Sequence, residues 1–144
     1  MFIIKWRRIV GNNKVVTWLK VSFLTGAIID ALVLIPMAVP AAAKIFWGFS
    51  GFSGIYYFAM GMGASLMSGW TILLLWAYRK PLERRYIALF TAVVVTGFVI
   101  MEIVLANQGY MPISKKFWGS LVMQAILVLL FGYSFFISGK TRKS

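Results

Sequence analysis

Four stretches of the chain are apolar for long enough to cross about 30 Å of hydrocarbon at a helical rise of about 1.5 Å per residue. They run approximately over residues 16–39, 54–78, 86–106 and 117–138. Their apolar character is continuous, which excludes the alternation of a transmembrane β-barrel, and they lack the polar face that a soluble bundle shows to water. The intervening segments read as loops. Residues 40–53 are rich in Gly, Ala and aromatics, 79–85 form a charged turn, and 107–116 carry Gly109 and Pro112. The pattern predicts an all-α, polytopic membrane protein: one domain over residues 1–144, folded as an antiparallel four-helix transmembrane bundle with short loops.

Composition agrees. Of 144 residues, 61% are hydrophobic and 12% charged, against roughly half and about a quarter in an ordinary soluble domain. Cysteine and histidine are absent, so disulfides, thiolate nucleophiles, Ser-His relays and most transition-metal ligation are excluded, and no metal or cofactor is expected. Fifteen cations face three acids, Asp30, Glu83 and Glu102, for a formal net charge of +12.

The cations are segregated. Lys5, Arg7, Arg8 and Lys14 precede the first span, Arg79, Lys80, Arg84 and Arg85 fill the second loop, and Lys140, Arg142 and Lys143 follow the last span. Lys44, Lys115 and Lys116 occupy the other two loops, and Lys20 lies near the start of the first span, placed to snorkel. Positively charged loops stay inside, so the expectation is a multi-pass protein of the cell membrane with both termini cytoplasmic. An aromatic belt agrees, with Trp6, Trp18 and Trp76 on the inner side and Phe46, Trp47, Tyr56, Tyr57, Tyr110 and Trp118 on the outer. Spread over short membrane-flanking segments, the cations suit anionic headgroups and not nucleic acid. Residues 1–10 mix apolar and basic side chains suited to lying on an anionic leaflet, with Gly11-Asn12-Asn13 as a corner into the first helix. Pro40-Ala41-Ala42-Ala43 offers a small-residue cleavage site, but the preceding apolar run is about twice a signal core and contains Asp30, so it is expected to remain as a span. No repeat relates the two halves, which argues against an inverted-repeat transporter within one chain.

In the second span Gly61, Ser65 and Gly69 recur every four residues. This spacing allows close helix approach, expected here inside the bundle, with a dimer as the other use. Met60, Met62, Met67 and Met123 read as core filling. In the second loop Pro81 suits the first turn of the next helix, with Glu83 near its positive end. Arg79, Lys80, Arg84 and Arg85 form a topogenic cluster and a candidate contact for anionic lipid.

The acids inside spans carry the most information, because an ionised acid at mid-span costs about 2.5–3.5 kcal/mol on insertion scales. Counted from the cytoplasmic ends, Asp30 lies about 21 Å up the first span and Glu102 about 24 Å up the third. The same depth on the second and fourth spans reaches Ser65 and the pair Ser120 and Gln124. A polar layer of Asp30, Ser65, Glu102, Ser120 and Gln124 is therefore expected in the outer half, loosened by Pro36 and with room beside Asp30 at Gly26. Two carboxyls in one low-dielectric layer call for a proton or a cation. The bland alternative is interhelical hydrogen bonding, worth under about 2 kcal/mol.

Gly69-Trp70-Thr71-Ile72-Leu73-Leu74-Leu75-Trp76-Ala77, followed by Pro81-Leu82-Glu83-Arg84-Arg85, resembles a group of small, uncharacterised prokaryotic four-span integral membrane proteins. The resemblance extends loosely to residues 26–37, about a third of the chain in all, and implies the architecture without an activity. The function expected from the residues is binding or transport of a proton, cation or small basic solute at the carboxylate layer, with a homo-oligomer completing any path. The alternative is a non-catalytic accessory subunit or assembly factor that holds a membrane-protein partner. An acid/base enzyme using Asp30 and Glu102 ranks below both, since no nucleophile, metal motif or phosphate loop accompanies the acids.

Overall fold

The structure, a computed structural model, describes residues 2–48, 51–111 and 113–142, with side chains described over 13–48, 51–111 and 113–139. Pro112 and the side chains of Lys5, Trp6, Arg7, Arg8, Lys140, Arg142 and Lys143 lie outside the described set, as does the leaflet-facing character expected of residues 1–10. Every regular element among the described residues is helical: α1 (Phe2–Ala38), α2 (Pro40–Trp47), α3 (Gly54–Arg79), α4 (Tyr86–Asn107) and α5 (Lys115–Arg142). Four segments are long and apolar enough to cross a membrane: Asn13–Ala38, Gly54–Arg79, Tyr86–Asn107 and Lys115–Gly139. The shortest, α4, is about 33 Å long at the helical rise. The chain is an all-α, multi-pass membrane protein.

Three local expectations need correction. Gly11-Asn12-Asn13 makes no corner, because α1 runs through it, and Thr17 Oγ1 donates back to the Asn13 carbonyl at 2.9 Å. Each Gly or Asn costs a helix about 1 kcal/mol or less, whereas breaking there would require a second costly nucleation. Residues 40–53 are not wholly loop. Val39 is extended, Pro40 occupies the first turn of α2, three alanines follow, and Gly48 closes the helix at φ 78° with its N–H on the Lys44 carbonyl. This is a proline start and a left-handed glycine stop. Pro81 precedes α4 by a full turn. It is buried in the connecting segment, where Arg84 N–H donates to the Lys80 carbonyl at 3.2 Å.

The chain divides into two compact units. One, Leu24–Trp76, contains the second half of α1, α2 and nearly all of α3. Within it Met37 Cε lies 3.3 Å from where a Cβ on Gly63 would stand, and Phe52, Tyr56 and Tyr57 form an edge-on aromatic series at the start of α3.

The other unit joins Met1–Phe23 to Ala77–Ser144. Here α4 and α5 form an antiparallel hairpin. Tyr86 at the start of α4 meets Phe135 late in α5, and Glu102 late in α4 meets Ser120 early in α5. The first half of α1 joins α5 through a polar seam: Ser22 and Ser134, both fully buried, share a 2.6 Å hydrogen bond. Phe23 and Phe131 pack on one side of it, and Trp18 meets Tyr133 edge-on. Small side chains at this crossing allow close backbone approach, and the hydroxyls then bond across it.

The close crossing in this unit is thus made by serines, whereas the small residues singled out in the sequence, Gly61, Ser65 and Gly69, belong to the other unit. Those three are exposed, and a Cβ on Gly61 or Gly69 would meet no described atom within 4 Å. Within its own unit, Leu24–Trp76, the stripe is therefore not the packing seam.

Candidate functional site

Late in α4 and early in α5, three side chains converge. Ser120 and Gln124, four residues apart, share one face of α5, and Glu102 reaches them from α4. Gln124 Nε2 donates to Glu102 Oε1 at 2.8 Å and to Ser120 Oγ at 3.1 Å, and Ser120 Oγ donates to the same Glu102 Oε1 at 3.0 Å. Gln124 is buried, only 8% exposed, and Glu102 and Ser120 are half-buried.

A count of protons defines the chemistry of the cluster. The Gln124 amide has two N–H donors and the Ser120 hydroxyl one. All three are committed to the bonds above. Two acceptors remain, Glu102 Oε2 and Gln124 Oε1, both buried and without a hydrogen-bond partner among the described residues. Turning the Gln124 amide over would set its oxygen against a carboxylate oxygen, so the excess of acceptors survives either orientation. The site thus presents two acceptors to a proton-bearing or cationic group and has no donor of its own for them. Its ligands are all oxygens, and no group of three His, Cys, Asp or Glu occurs among the described residues, which suits a proton, an ammonium group or a hard monovalent cation.

Comparison with protein-family profiles, curated proteins and solved structures finds no match for the chain.

Of the residues expected in the polar layer, the structure joins Glu102, Ser120 and Gln124. Asp30 and Ser65 belong to the other unit. Asp30 is half-buried on α1, and no described hydrogen bond or ion pair involves its carboxylate. Ser65 is exposed and donates to the Gly61 carbonyl of its own helix at 2.9 Å. Pro36 is buried inside α1.

The basic turn is more differentiated than its composition suggests. Arg85 is held inside the fold: Nη1 donates to the Ser138 carbonyl at 3.1 Å, Nη2 reaches Tyr86 Oη at 3.4 Å, and the guanidinium lies over the rings of Tyr86 and Phe135. A cation at these carbonyls favours the negative end of α5. Lys80 pairs with Glu83 at 3.3 Å, with both side chains mostly exposed, so the pair adds little stability. Arg79 is exposed. Sequence reasoning missed the structural duty of Arg85, and also Trp70, whose indole N–H is buried without a hydrogen-bond partner among the described residues.

Proposed function

We propose that the protein binds or conducts a proton, a cation or a small basic solute at the Glu102–Ser120–Gln124 cluster. The observation that carries this reading is the pair of buried acceptors, Glu102 Oε2 and Gln124 Oε1, left after every donor in the cluster is committed. A buried acceptor with no donor costs about 1–3 kcal/mol. A proton or ammonium group arriving there supplies the missing bond, and the low dielectric strengthens it. In this reading α4 and α5 span the cell membrane with Glu102 near the outer end, both termini lie in the cytoplasm, and the basic segments meet anionic headgroups. Asp30, on α1, is the second acid within a span.

The test is proton entry into proteoliposomes that contain a trapped pH-sensitive dye, with the membrane potential clamped by potassium and valinomycin. Binding of labelled methylammonium to the purified protein is measured in parallel. Glu102→Gln replaces the carboxylate by a group that carries its own donor and is expected to abolish both signals. Asp30→Asn reports separately on α1. Wild-type rates and binding in both variants would remove the reading.

A second reading, a non-catalytic accessory subunit, is favoured by the open face of Gly61, Ser65 and Gly69. A Cβ at Gly61 or Gly69 meets no described atom within 4 Å, so a co-purifying membrane partner lost in Gly61→Leu and Gly69→Leu, with folding unchanged, supports it. A partner retained in both excludes this face.

A further inference from the structure

At the opposite end of the same unit, the first part of α1 and the segment between α3 and α4 enclose a cleft of about 230 Å³. Its polar lining is Lys20, Arg79, Lys80 and Glu83, and its apolar wall is Val16, Pro81 and Leu82. Three cations against one acid leave an excess of two positive charges.

Lys20 is the unusual member. It lies seven residues inside the span Asn13–Ala38, about 10 Å along it, and is half-buried. An ammonium at that depth normally has a carboxylate partner or snorkels to water. No carboxylate pairs with Lys20 among the described residues, and its Nζ sits 5.4 Å from the centroid of the Tyr78 ring. A ring face attracts the cation while leaving its N–H donors directed elsewhere. Lys80 commits one contact to Glu83, Arg79 is exposed at the mouth, and Arg85 is spent on the Ser138 carbonyl. The donors available to an outside anion are therefore those of Lys20, Arg79 and Lys80.

We propose that this cleft is a site for a phosphate-bearing anion, and that its occupant is an anionic phospholipid whose phosphate bridges Lys20 and Arg79. The apolar wall favours the lipid over a soluble phosphate ester, because glycerol and proximal acyl carbons then cover Val16 and Leu82. This proposal rests on the reading that the basic end meets anionic headgroups. It differs from that reading in specifying one bound lipid and in choosing Lys20 and Arg79 over Arg84 and Arg85.

Native mass spectrometry of the purified protein in neutral detergent, titrated with phosphatidic acid, provides the test. Wild type is expected to retain one lipid per chain at a salt concentration that strips diffusely held lipid. Loss of a charge-assisted contact in Lys20→Met or Arg79→Gln weakens that binding by about tenfold or more. Lys20→Arg keeps it, and Lys44→Met, on a different segment, is unaffected. Arg79 is exposed, so its variant remains informative if Lys20→Met does not fold. Wild-type retention in Arg79→Gln overturns the site. Displacement of the lipid by glycerol 3-phosphate at equal concentration overturns the lipid as occupant and assigns the cleft to soluble phosphate esters. A general preference for anionic lipid without a salt-resistant single lipid overturns the site while leaving the headgroup reading intact.

Discussion

Replacing Glu102 and Gln124 by leucine, singly and together, separates a ligand site from a structural hydrogen bond. Gln124→Leu removes the 2.8 Å donor to Glu102 Oε1 and leaves the buried carboxyl with Ser120 alone. Glu102→Leu strands the Gln124 amide, only 8% exposed, with both its oxygen and one N–H unpaired. Each single change therefore costs about 1–3 kcal/mol for stranding a polar group. The double variant strands neither group. It loses interhelical bonds worth about 0.6 kcal/mol on average and about 1.7 at most, and it also deletes the two acceptors that had no donor, so its stability is expected to match or exceed wild type. The coupling energy of the cycle is then about 2–6 kcal/mol, the sum of the two single costs. Reversible unfolding in mixed micelles, followed by tryptophan fluorescence, measures it, and the proteoliposome assay on the same variants should show all three inactive. In the double variant stability and activity then part company, as expected of a strained functional site. Additivity of the two single changes within about 0.5 kcal/mol would refute the reasoning, because the two groups would not sense each other.

Three further outcomes follow from local geometry. At the α1–α5 seam Ser22 holds both Ser134, at 2.6 Å, and the Trp18 carbonyl, at 2.9 Å, while Ser134 reaches that carbonyl only at 3.5 Å; Ser22→Ala should cost more than Ser134→Ala, up to about 1.7 kcal/mol, in the same unfolding assay. Gly48 and Gly109 adopt φ 78° and 77°, so alanine at either costs about 1–2 kcal/mol for conformation alone, read as a lower unfolding midpoint, although a Cβ would find open space at both. Arg85→Met removes the contact to the Ser138 carbonyl and both ring contacts and should speed amide exchange in the last turns of α5, with Arg85→Lys giving little rescue because a lysine lacks the planar fork.

The spans, and three of the five residues expected in the polar layer, were legible in the sequence for one reason: both depend on distance along a helix. Apolar length against bilayer thickness places the helices at Gly54–Arg79 and Tyr86–Asn107 within a residue of expectation, and depth arithmetic alone joined Glu102 to Ser120 and Gln124. What escaped depends on rotation about the helix axis, which continuous apolarity conceals. Ser22 and Ser134 look like incidental polar residues in apolar runs, and only the crossing of α1 and α5 makes them a pair. Gly61 and Gly69 have the spacing of a packing motif, yet spacing cannot say which neighbour, if any, faces them. Helix α2 was hidden by reading glycine and aromatic content over the whole of 40–53, although Pro40, three alanines and Gly48 mark a start, a body and a stop.

Polar groups inside these helices divide by whether their own protons suffice. Ser68, Thr71, Thr91 and Thr96 each donate to the carbonyl four residues earlier on the same helix and ask nothing of a neighbour. Ser22 and Ser134 meet across a seam with two hydroxyl protons, enough for one hydroxyl to bond the other while that one donates to the Trp18 carbonyl. Such groups are consistent with packing alone. The Glu102 cluster is different in kind, because α4 brings two carboxylate oxygens to an amide and a hydroxyl whose three protons are all committed, two to Glu102 Oε1 and one to Ser120 Oγ. Rotating either side chain cannot supply a fourth proton. The deficit belongs to the composition of the cluster and not to its precision of fit, so a donor from outside the cluster, whether a proton on the carboxyl, a water or a cation, is what removes it. Helix α5 thus carries one polar pair whose own protons suffice, at Ser134, and one cluster whose protons do not, at Gln124.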